Sequence, residues 1–126
     1  MTRPSYQENV DGYILTTALM RWFWDHYADP ADRGDPRAAP LRGDLQGLPP
    51  ACIVAADFDP LRDEGVAYAR ALEDAGVPVR LIRARGHTHT SVTMVGVVIS
   101  GAPVRAEIGE ALRDFFPSVE SRERVS

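Results

Sequence analysis

Two stretches of this chain have the hydrophobic pattern of strands, and helical patterns surround them. Ala51 to Ala56 reads Ala-Cys-Ile-Val-Ala-Ala, a continuous apolar run. Such a run, without in-out alternation, predicts a strand covered on both faces, as in parallel sheets. Val77 to Arg85 is the second predicted strand, broken by Gly86. Between them a helix is expected from Pro60, a residue favoured at the first helical position. Its apolar face carries Leu61, Tyr68, Leu72 and Ala75, and Gly76 ends it. Gly65 lies inside that helix at a local cost, which close packing against a strand would explain.

Upstream, Thr16 is placed to cap a helix in which Leu19, Trp22, Phe23 and Tyr27 recur at helical spacing. The stripe predicts a core-facing helix rather than the wall of an apolar pocket. Residues 1–13 read as an irregular lead-in rich in turn formers. Residues 28–50 hold five prolines and three glycines and predict a long ordered loop. Residues 90–101 are apolar but of ambiguous state. Pro103 to Phe116 predicts a last helix, with Val104, Ile108, Ala111, Leu112 and Phe115 on one face and Pro117 as its stop. Residues 118–126 form a polar tail.

Helices alternating with strands of this type define an α/β fold with parallel strands. Two strands alone do not make a stable sheet covered on both faces. The chain therefore reads as part of a larger layer structure. Residues 1–50 would give a helix and long loop, 51–117 a strand-helix-strand-helix unit, and 118–126 the tail.

Composition narrows the function classes. The formal net charge is −4, with 14 basic residues, all arginine, scattered among 18 acids. Nucleic-acid binding needs clustered positive charge, so it is excluded as the main role. The single cysteine, Cys52, reads as a buried thiol in a reducing compartment. No apolar stretch reaches membrane-spanning length, and the N-terminus lacks the apolar core of a signal peptide. A soluble, cytoplasmic protein is expected.

The strand ends carry the chemistry. Catalytic groups of open α/β sheets gather at the carboxyl ends of strands. Asp59 follows the first strand; His87 and His89 follow the second. Adjacent strands lie about 5 Å apart, so an acid and an imidazole at neighbouring ends can meet. An acid on one ring nitrogen would fix the tautomer, leaving the other to take a proton from a nucleophile. Asp59 before Pro60 is also what a plain helix cap looks like. Asp57 reads as structural or solvated. Asp63 and Glu64 suit the first turn of a helix by its dipole. Two other readings stand beside this one. His87-Thr88-His89, with Asp57 and Asp59, could form a zinc site. Alternatively, the chain is a non-catalytic interaction or remnant domain whose unpaired sheet edge needs a partner.

The run Asp59-Pro60-Leu61-Arg62-Asp63-Glu64-Gly65 resembles the acid motif of the hormone-sensitive-lipase-like branch of the α/β-hydrolase esterases and lipases. Its flanks support the resemblance in order and spacing: Gly12 to Thr16 with the Trp22-Phe23-Trp24 helix, Asp35 to Leu41, and Gly47 to Ala51. The resemblance covers residues 4–116. It implies the C-terminal portion of an α/β-hydrolase fold carrying part of a helical cap, with the Trp22–Tyr27 helix over an acyl pocket. It implies hydrolysis of a small carboxylic ester by a Ser-Asp-His triad, with no cofactor or metal. Asp59 would be the triad acid and His89 the base, three residues after Gly86; His87 would be an extra imidazole. The family follows its histidine with Gly and an aromatic, where this chain has Thr90 and Ser91. The His-Gly-Gly run and the Gly-x-Ser-x-Gly elbow of the family do not occur in this sequence. The expectation is a chain inactive alone, completed by a companion chain, and able to form a homodimer through its last strand and helix.

Overall fold

The structure, a computed structural model, describes residues 2–116. Two strands, β1 (Ala51–Phe58) and β2 (Val79–Thr88), pair in parallel. Around them lie α1 (Pro4–Glu8), α2 (Thr17–Tyr27), α3 (Arg62–Asp74) and α4 (Ala102–Phe115). The expected tail and the Pro117 stop lie outside the described residues.

Both faces of the strand pair are covered, as the apolar runs demand. On one face Ala56, Ile82 and Ala84 pack with Val92 and Val104, joined by Cys52, Val54 and Ile108. On the other, Leu72 and Val77 pack with Leu45, Ile53, Tyr68 and Val79. Successive side chains of a strand point to opposite faces, so β1 feeds both clusters. The long proline-rich loop is thus tied down through Leu45. Emptying the Leu72 site, which is almost fully buried, would cost about 2–5 kcal/mol.

Asp59-Pro60-Leu61 forms a turn, and α3 begins one residue later, at Arg62. It ends as its sequence dictates: Gly76 adopts φ +78°, and the Gly76 and Val77 amides bond back to Glu73 and Leu72. Residues 90–101 resolve into two single 3₁₀ turns, Ser91–Thr93 and Ile99–Gly101.

Three expectations need correction. First, the lead-in is not irregular throughout. It contains α1, which docks on α3: Tyr6 OH donates to Glu64 Oε2 at 2.7 Å, and Arg62 Nη2 meets Glu8 Oε2 at 2.6 Å. Asp63 and Glu64, read as dipole charges only, are anchors for this arm. Second, the α2 stripe does not face a core. Trp22 is 52 % and Tyr27 69 % exposed, and the only buried residue of α2 is Thr17. Met20, Phe23, Trp24 and Tyr27 instead line an open cleft of about 670 Å³ with Ala38 and Pro40, because no described element lies over them.

Third, Gly86 does not end β2. The strand runs on to Thr88 across an irregularity in the pairing. Up to Ala56 and Ala84 the partners are 28 residues apart in sequence; at Phe58 and Thr88 they are 30 apart. β2 therefore holds Arg85, Gly86 and His87 opposite Asp57 alone. Gly86 turns this corner at φ +72°, a conformation that favours glycine.

Candidate active site

The bulge decides which histidine meets the acid. With the register unbroken, residue 87 would come opposite residue 59. The two extra residues on β2 put residue 89 there instead. Accordingly His89 Nδ1 lies 2.8 Å from Asp59 Oδ2, while His87 is directed elsewhere. A carboxylate oxygen accepts, so Nδ1 carries the hydrogen and Nε2 is left basic. The Asp59 carboxylate is buried and held at both oxygens, because the Leu61 amide donates to Oδ1 at 2.8 Å. Asp59 therefore closes the turn before α3 and bonds the imidazole at the same time. Asp59 is not the helix cap that its place before Pro60 suggested: the N-cap of α3 is Leu61, which makes no side-chain cap bond, and the Asp59 bond closes the turn ahead of it.

His89 is partly exposed and lines a cleft of about 1140 Å³ with Asp59, Val54, Ala56, Tyr68 and Ile108. Val54 to Ala56 belong to β1, whose edge away from β2 pairs with no other strand among the described residues. The imidazole thus faces an open, mostly apolar groove beside an unpaired strand edge.

His87 is buried, with Nδ1 3.0 Å from Ser91 Oγ. That hydroxyl also donates to the Thr88 carbonyl at 3.0 Å and accepts from the Thr88 amide at 3.1 Å. Its single proton is committed to a main-chain carbonyl, so His87 and Ser91 brace the loop that carries His89. Thr90, at φ +58°, makes the reversal after His89. The position where the family places glycine is therefore one where the backbone favours glycine.

Asp57, Asp59, His87 and His89 do not converge. Among the described residues there is no group of three or more His, Cys, Asp or Glu side chains placed to hold a metal. The His-x-His pair is split between two partners, Ser91 and Asp59, which takes apart the proposed zinc set.

The neighbours of Asp59 include groups that sequence reasoning missed. Ser5, fully buried, donates its hydroxyl to the Pro60 carbonyl at 2.6 Å, and its amide donates to Asp63 Oδ2 at 2.9 Å. Burial raises the Asp63 pKa, but the Arg62 guanidinium and the Ser5 amide outweigh it and hold the carboxyl below its ordinary range. Burial, then the hydrogen bond and charge of Glu64, push the Tyr6 phenol well above its ordinary value. These contacts span more than fifty residues, and no local pattern announces them.

The pair lies at the ends of adjacent parallel strands, and comparison with known proteins identifies the fold that carries it. Residues 1–93 match the alpha/beta hydrolase fold family. The chain belongs to that family, in its hormone-sensitive-lipase-like branch. It is 42% identical over 113 residues to the ethyl acetate hydrolase of Pseudomonas putida, a match covering 88% of this chain and 36% of that protein. It is 43% identical over 98 residues to esterase LipI of Mycobacterium tuberculosis, covering 75% and 31%. Among solved structures it superposes on a Pyrobaculum calidifontis esterase with a TM-score of 0.83 at 34% identity, covering 90% of this chain and 38% of that one. A thermostable Pseudomonas putida esterase gives 0.78 at 40% identity, covering 92% and 39%. The chain thus spans roughly a third of the length of the curated relatives it matches.

Proposed function

We propose that this chain supplies the acid and the base of a serine carboxylesterase whose nucleophile and oxyanion hole lie in a companion segment. His89 Nε2 takes the proton of the nucleophilic serine and later returns it to the leaving alcohol. Asp59 fixes the tautomer and stabilises the imidazolium. The observation that carries the reading is the 2.8 Å hydrogen bond between Asp59 Oδ2 and His89 Nδ1, with the other ring nitrogen free to face a groove. The groove also supports it. A further parallel strand beside β1 would lie about 5 Å away and end next to His89, where a strand-borne nucleophile is needed. The substrate is a small carboxylic ester, with the exposed apolar face of α2 contributing to its acyl pocket. No metal or cofactor enters this chemistry. Among the described residues the outer edge of β1 is unpaired, which gives the companion segment a place to dock. Cys52, expected to be buried, is only half-buried, and that burial pushes its thiol up, which suits an unreactive cysteine; a cytoplasmic location stays part of the proposal. Among the described residues no helix is long and apolar enough to cross a membrane.

The test is hydrolysis of p-nitrophenyl acetate by the purified chain and by a chimera. The chimera carries, upstream of this chain, the part of the Pseudomonas putida ethyl acetate hydrolase that precedes the matched region. The chain alone is expected to show only background hydrolysis, and the chimera turnover that a serine-directed inhibitor abolishes. Inhibitor-sensitive turnover by the chain alone, or an inactive but folded chimera, would contradict the proposal.

A further inference from the structure

The bulge that selects His89 over His87 is held by a side chain outside the acid-base pair. Asp57 Oδ2 accepts a hydrogen bond from the Gly86 amide at 3.0 Å, and its Oδ1 lies 3.6 Å from Arg83 Nη2. The Asp57 carbonyl accepts from Arg62 Nη1 at 3.2 Å, so the residue is gripped from both strand and helix sides. At an irregularity of this kind the ladder is interrupted, and the solvent-exposed Gly86 amide is left outside it. The Asp57 carboxylate supplies that acceptor at the corner where β2 gains its two extra residues.

We infer that Asp57 is a positioning residue that pins Gly86 and so locks the register in which His89, rather than His87, bonds Asp59. The inference rests on the proposed acid-base role for its catalytic meaning, but its geometric content does not. Without the Asp57 acceptor, the Gly86 corner loses a contact made in the bulged register and keeps only the His87–Ser91 brace beyond it. His89 then samples positions away from Asp59, and the proton on Nδ1 exchanges with water. Asn at position 57 keeps a side-chain carbonyl that can accept from the same amide; Ala keeps nothing.

The experiment reads the His89 Nδ1–H proton by NMR in the full chain, assigned by its loss in His89→Ala, alongside kcat and KM in the chimera. Far-UV circular dichroism checks the fold of each variant. Asp57→Ala is expected to lose the Nδ1–H signal and to lower kcat about tenfold to a hundredfold with KM within twofold, the penalty of a misplaced base. Asp57→Asn is expected to retain most of both. Asp57→Leu keeps the bulk of the side chain without an acceptor and carries the test if Asp57→Ala does not fold. A full Nδ1–H signal in folded Asp57→Ala, or in Asp57→Leu where that variant stands in for it, would overturn the inference. So would an Asp57→Asn variant as impaired as Asp57→Ala. An inactive chimera with these signals behaving as stated would count against the esterase reading and leave the register lock standing.

Discussion

Ser5 Oγ donates a 2.6 Å hydrogen bond to the carbonyl oxygen of Pro60, fifty-five residues away, and so fastens the N-terminal arm to the turn that carries Asp59. The same residue bonds Asp63 through its amide, and its carbonyl accepts from Asn9 Nδ2 at 3.1 Å. Every polar group of Ser5 is used, in a place with no access to water. Ser5→Ala leaves the Pro60 carbonyl without this donor and should cost about 1–3 kcal/mol. Chemical denaturation of Ser5→Ala against the parent measures it. A loss below about 0.5 kcal/mol, within the range of ordinary surface changes, would show that the arm is not fastened there.

The arm should also release in acid. Asp63 has a folded-state pKa below its ordinary value, so the folded form holds its proton less tightly than the unfolded chain does. Its contribution is fully present above the unfolded value of about 4 and is lost as pH falls through the lowered folded value. Tyr6 acts at the other end. Its raised folded pKa means that its contribution is intact below about 10 and declines as pH rises above that. Stability measured from pH 2 to 11 should therefore fall at both extremes. Asp63→Asn should flatten the acid side and Tyr6→Phe the alkaline side; unchanged profiles in both variants would contradict these assignments.

Thr90 occupies left-handed backbone at φ +58° with a β-branched side chain. Its hydroxyl bonds the His89 carbonyl, while its own carbonyl accepts from Thr93 Oγ1. The conformation costs roughly 1–2 kcal/mol, of which glycine would recover part against its greater unfolded-state entropy. Thr90→Gly should be more stable by about 0.5 kcal/mol and Thr90→Val less stable by about 1 kcal/mol. Equilibrium unfolding of the two variants decides it, and Thr90→Gly less stable than Thr90→Val would refute the strain.

Gly65 behaves differently. A Cβ there would stand 3.8 Å from Ile53 Cγ2 and 4.0 Å from the Ala55 Cβ, ordinary contact distances. The glycine does face β1, as its place in the helix suggested, but packing within this chain does not require it. Gly65→Ala should raise the thermal midpoint, with a gain of about 0.5–1 kcal/mol from helix propensity. A lowered midpoint would mean that the α3–β1 contact is tighter than these distances.

The contrast between these residues shows what could be read from the chain. β1, α3, β2 and α4 were legible because each has a local apolar pattern, although the stop expected at Gly86 falls inside β2. Asp59 and His89 could be singled out because each follows a predicted strand, Asp59 at the head of the Asp59–Gly65 run and His89 three residues after Gly86, and the structure brings the two side chains together. The bulge was not, since nothing in Arg85-Gly86-His87 says that three residues will face one. It arises from pairing between strands, and so the choice between the two histidines came from resemblance before geometry supplied a reason. The docking of α1 was hidden for a similar reason: Ser5 and Tyr6 find their partners more than fifty residues away. The α2 stripe misled because an aromatic face with helical spacing looks the same whether it is covered by a core or lines an open cleft.

The central claim is that Asp59 and His89 act as one acid-base unit on a nucleophile supplied from elsewhere. The most direct measurement is the rate of p-nitrophenyl acetate hydrolysis by the chimera carrying His89→Ala, Asp59→Asn, or both. Each single variant should lose at least about a thousandfold in kcat and the double variant little more, because members of one unit are not additive. A His87→Ala variant removes a brace of the loop but not the base, and should lose far less than His89→Ala. Retained turnover in His89→Ala, or a loss as large in His87→Ala with the fold intact, would be the contrary result.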